Sequence, residues 1–226
     1  MPETSSSPRP STTQLILVPS IITLAITILR LVGELQHWPG PWFSTTASGG
    51  LAIIGISWLP LIFGPYFAFK LAGKGEGPAS SGKSIAFPVL GLVILIAGGY
   101  VSFSGARAQS PSTVILGFVI VTAAGALCFP GWGALSKALL AYGLAARIPV
   151  AIVMFFALRG NWGTHYDALP PGYNGPTDLW PKFLMVGIIP QMLFWVPFTI
   201  VVGSLLRAIV RAIARRDKPA MQPAAR

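Results

Sequence analysis

The chain has 226 residues, 53% of them hydrophobic and only 10% charged, with a mean hydropathy of +0.68. Soluble domains carry about 25% charged residues, and a soluble protein of this length cannot hide so much apolar surface. The composition therefore points to an all-α integral membrane protein with several spans. The net charge of +10 is no sign of nucleic-acid binding, because the basic residues gather at the ends of apolar runs and in the C-terminal tail, where they orient membrane proteins.

In chain order, residues 1–13 form a Ser/Pro/Thr-rich polar stretch that reads as a disordered tail. Six apolar segments follow, each near the roughly 20 residues a span needs. They cover about 14–33, 49–71, 84–104, 112–129, 134–158 and 181–206. The first has no small-residue cleavage site after it and is expected to stay as a helix rather than be removed as a signal peptide. Between the fourth and fifth, "FPGWG" (129–133) marks a turn; read as a kink, it would merge the two segments. The connection 72–83, "AGKGEGPASSGK", reads as a flexible basic linker.

Lysine and arginine set the orientation. Arg9, Lys70, Lys74, Lys83, Lys137 and the tail basics fall on one side, and Arg30, Arg107, Arg159 and Lys182 on the other. The richer side is cytoplasmic by the positive-inside rule, so six spans leave both termini inside. Brevity and composition suggest a bacterial inner membrane. The transmembrane domain is expected over 14–206 and a basic cytoplasmic tail over 207–226. In that tail Arg207, Arg211 and Arg215 recur every four residues, one helical stripe suited to anionic lipid.

Prolines punctuate the spans at 19, 60, 65, 88, 149, 190 and 197. Each frees a backbone carbonyl that must find an internal partner in lipid. They kink helices or break them around a site. The lone Cys128 excludes an intrachain disulfide and a cysteine-based metal centre.

The sharpest local feature is Arg147, near the middle of the fifth segment. A mid-bilayer arginine costs roughly 3 to over 10 kcal/mol unless it faces a partner or a water-filled cavity. No acidic residue lies inside any of the six segments, and Glu34, at the outer end of the first, is too shallow to pair with it directly. The neutral candidates are Gln191 at similar depth, with Ser57, Thr23, Thr27, Tyr100 and Tyr142. Arg147 either locks the bundle through such groups or waits for an anion or a polar carbonyl.

The two outer connections, 34–48 and 159–180, hold both histidines and four of the seven tryptophans. His37 and His165 raise a metal or haem reading, but their spacing matches no known ligand pattern. They fit an interfacial aromatic belt equally well. The second loop, with Trp162, His165, Tyr166 and Asp167, reads first as an ordered cap on the bundle, with a lid over an outward cavity or a docking surface for a partner as the alternatives. No H-E-x-x-H and no paired intramembrane carboxylates occur, and no particular cofactor is indicated. The leading expectation is a non-catalytic integral subunit or accessory protein of a larger membrane assembly, binding other chains or a second copy of itself through the aromatic outer loops. The alternative is a small carrier for an anionic or polar solute built on Arg147.

Overall fold

The computed structural model describes residues 11–47 and 52–216, with side chains described through Leu206. The described chain is helical and contains no strand. The elements are α1 (Thr12–Leu35), α2 (Pro60–Ala72), α3 (Lys83–Arg107), α4 (Pro111–Ala126), α5 (Gly133–Gly160), α6 (Leu179–Phe183) and α7 (Val196–Arg216). Two π-helical stretches, Leu184–Ile188 and Gln191–Trp195, join α6 to α7.

Four helical stretches are long and apolar enough to cross a membrane: Thr12–Leu35, Lys83–Arg107, Gly133–Gly160 and Leu179–Leu206. Their large apolar residues lie outward, as Leu17, Ile21 and Ile28 do on α1 and Val93 and Ile96 on α3. That outward apolar face suits lipid rather than water, and marks a multi-pass membrane protein.

The second and fourth apolar segments behave differently. Residues 52–59 are non-helical and α2 starts only at Pro60, leaving 13 residues; α4 has 16. At about 1.5 Å per residue these reach roughly 20 and 24 Å, short of a hydrocarbon core of about 30 Å. Pro60 explains the late start, since it lacks an N–H and suits a first helical turn. "FPGWG" is a turn: α4 ends at Ala126 and α5 begins at Gly133. Trp132 in that turn is buried and donates its indole N–H to the Glu76 carbonyl at 2.7 Å. The 72–83 connection is thereby tied to the bundle. The start of α1 is also fixed earlier than expected, because Ser11 and Gln14 cap each other reciprocally.

Small residues bring the helices close, as in membrane bundles generally. A side chain at Gly64 of α2 would collide with the backbone of Gly203 on α7, and one at Gly117 of α4 with the backbone of Ser102 on α3. α5 is the central helix, with 44% of its span buried against 22% for α1. Its inner face packs Tyr142 among Phe63, Phe67 and Thr23, and presents Arg147 toward the π-helical region.

Candidate functional site

The site begins where α5 ends. Asn161 adopts a left-handed conformation (φ 49°) and stops the helix. Gly163 follows at φ 70°. The Asp167 carboxylate accepts from the backbone N–H groups of Gly163 and Thr164 and from the Thr164 hydroxyl, at 2.7–2.9 Å. This self-contained turn swings His165 and Tyr166 back over α1.

There His165 meets Glu34. Its backbone N–H donates to Glu34 Oε2 at 2.8 Å, and its Nδ1 lies 2.6 and 2.8 Å from the two carboxylate oxygens. A carboxylate only accepts, so Nδ1 carries the proton. Arg30, one turn before Glu34 on α1, closes the cluster with Nε donating to Oε1 at 2.8 Å, while its Nη2 donates to the Ser44 carbonyl at 3.2 Å. Burial lowers the His165 pKa, and the Arg30 charge adds to the effect against the opposing hydrogen bond to Glu34. The Tyr166 hydroxyl donates to the Thr27 carbonyl at 3.2 Å. Loop and first helix are thus joined by a carboxylate that is paired with Arg30 and hydrogen-bonded by His165.

Beneath it lies a cavity of about 980 Å³. It runs from the α3–α4 turn and loop residues 168–176 down to Arg147 and Gln191. Arg147 is 4% exposed. Its Nη1 donates to Gln191 Oε1 at 3.5 Å, and its guanidinium carbon sits 4.6 Å from the Trp195 ring centroid, a cation–π contact. Its Nε has no hydrogen-bond partner among the described residues. No carboxylate pairs with it there either: Glu34 pairs with Arg30 and accepts the hydrogen bonds of His165. Gln191 turns its amide N–H toward the Met154 sulfur at 3.5 Å, a weak acceptor.

Pro190 helps to place Gln191. It sits between the two π-helical stretches, and lacks the N–H an α-helix would use. Widened turns of this kind concentrate at functional positions. The non-helical residues 52–59 contribute Ile56 and Ser57 to the cavity wall. Irregular backbone at membrane depth is tolerated where it is buried in protein or lines a water-filled space.

The structure unites part of the expected site. Arg147, Gln191, His165 and Tyr166 all line the cavity. Tyr142 does not: its hydroxyl is 2.8 Å from Thr23 Oγ1 in the core. Tyr100 is 72% exposed on α3 and is not among the described lining residues. Trp162 is exposed beside Gly160, and Asp167 is spent on its own turn. His37, exposed at the end of α1 with φ 54°, lies outside the His165 cluster. Among the described residues no group of three or more His, Cys, Asp or Glu could hold a metal ion. The α7 backbone continues through Arg207, Arg211 and Arg215, but their side chains lie outside those described.

Sequence reasoning missed the Arg30–Glu34–His165 cluster. The i, i+4 spacing of Arg30 and Glu34 was its visible half; the return of a loop 131 residues later has no local signal.

These features define a multi-pass α-helical membrane protein with a capped cavity ending on a buried arginine. Comparison with known proteins finds no match: no family model, no curated protein and no solved structure is similar to the chain.

Proposed function

We propose that the protein binds an anionic or polar solute in this cavity and carries it, with Arg147 as the recognising group. The observation that carries the reading is the 96% burial of a permanent cation at the cavity floor with an unpartnered Nε and no described carboxylate beside it. A guanidinium holds five donors in a planar fork suited to oxyanions. Gln191 adds a polar group beside it, and loop 163–176 stands as the cover. In this reading six helical segments lie in a bacterial inner membrane, with both termini cytoplasmic and the cavity facing outward. The tail arginines rest on anionic lipid.

The test is a comparison of wild type and Arg147→Met in lipid nanodiscs and proteoliposomes. Binding and uptake of small anions should weaken about tenfold in the variant while its melting temperature stays near that of wild type. Equal binding and uptake in both proteins would sink the assignment.

A second reading, the integral subunit, draws support from the outward Trp38 and Trp42 of the first outer loop, 42% and 48% exposed. Large aromatic residues anchor protein contacts as well as bilayer interfaces. Native mass spectrometry of gently extracted protein separates the two. Co-purifying chains in fixed ratio, lost in Arg147→Met, would favour the subunit.

A further inference from the structure

The walls of the cavity carry more information than its floor. Around the Arg147–Gln191 pair the lining is Met154, Met185, Phe194 and Trp195, and farther along it is Phe103 and Phe118. No carboxylate is among the described lining residues. A volume of about 980 Å³ is at the upper end of the roughly 300–1,000 Å³ of pockets for drug-sized ligands. An inorganic anion would fill a small fraction of it and leave the aromatic and thioether surface wet.

Phe103 lines the cavity and is 60% exposed, and the Arg107 guanidinium carbon lies 5.5 Å from its ring centroid. A ligand on this path passes Phe103 and Phe118 before it reaches the cation at the floor; Arg30, the other lining cation, is held by Glu34.

We propose that the ligand is an amphiphilic oxyanion: a carboxylate or phosphate group seated on Arg147 and Gln191, with an apolar chain lying along Phe194, Phe118 and Phe103. This deepens the solute-binding reading and rests on it. The charged group takes up the unpartnered Nε of Arg147, and the chain removes the apolar lining from water. The chain can come from a bilayer lipid or from a free hydrophobic acid; the recognition chemistry is the same.

The experiment uses the full chain in detergent micelles and native mass spectrometry. It is titrated with decanoate, decyl phosphate, decanol, acetate and inorganic phosphate, and a separate organic extract is analysed for co-purified lipid. The expected result is binding of decanoate or decyl phosphate at least tenfold tighter than decanol, lost at least tenfold in Arg147→Met. Val114→Trp, which places a bulky ring in the cavity wall from the first turn of α4, should weaken decanoate and leave acetate unchanged. A melting temperature near that of wild type controls for folding of both variants. Stoichiometric phospholipid in the extract assigns the site to a membrane lipid, and an extract without it assigns it to a free acid. Decanol binding as tightly as decanoate would overturn the proposal. Arg147-dependent binding of acetate or phosphate as tight as that of the ten-carbon anions would overturn it too, while leaving the solute-binding reading intact. Failure of every anion removes both.

Discussion

Two arginines line one cavity and are treated in opposite ways. Arg30, near the rim, shares a carboxylate with His165 and donates to a backbone carbonyl. Arg147, at the floor, is given a glutamine at 3.5 Å, an aromatic face and an idle Nε. The first arrangement satisfies a charge and so fixes structure. The second leaves donors open in a place where open donors are costly, which a fold tolerates when something else fills them. Burial alone does not separate the two residues, since both are nearly inaccessible; their partners do.

The comparison can be broken most forcefully at Glu34. Its side chain is fully buried, and removal strands Arg30 and His165 together. Glu34→Ala should cost about 3–5 kcal/mol, read as a large fall in melting temperature in detergent. Next in size, His165→Ala should cost about 2 kcal/mol and release the loop, so that limited proteolysis cuts between 160 and 178. Arg147→Met should do the reverse of Glu34→Ala. Stability is held or raised, because an apolar side chain replaces a buried cation, while anion affinity falls about tenfold, or roughly 1.4 kcal/mol. If Arg147→Met unfolds the protein as Glu34→Ala does, the contrast between the two arginines is wrong.

The smallest effect is that of pH. His165 is held below its usual value of 6.5, so the folded loop binds fewer protons than the unfolded one. Attachment is therefore complete above pH 6.5 and weakens as pH falls toward the folded value. The groups facing the imidazole are Glu34, Arg30, Tyr166 and Asp167. Hydrogen exchange of residues 161–169 should speed up between about pH 7.5 and pH 5.5, beyond the intrinsic dependence. An unchanged protection factor would show that His165 takes its proton without loosening its hold.

Helical class, the long helices and the oddness of Arg147 were legible in the sequence because they depend on local composition and on the cost of charge in hydrocarbon. So was the pairing of Arg147 with Gln191, through matched depth. The shortness of α2 was not, because an apolar run such as 49–71 looks alike whether or not its residues 52–59 are helical. Nor was the role of Glu34: its partner depends on where a distant loop lands, and that follows from the Asn161, Gly163 and Asp167 turn. The partners of Tyr142 were hidden for a related reason: it is on the same helix as Arg147, but its hydroxyl goes to Thr23 and its ring to Phe63 and Phe67 on other helices.

The spacing of Arg30 and Glu34 has a consequence for biosynthesis. When α1 leaves the ribosome, His165 has not yet been made. A lone glutamate near the end of an inserting helix would resist entry into the bilayer. One helical turn away, Arg30 supplies the opposite charge from the same face. The first helix can therefore be delivered to the membrane as a nearly neutral rod, waiting for the later loop to dock on a carboxylate that was chaperoned from the start by its own neighbour.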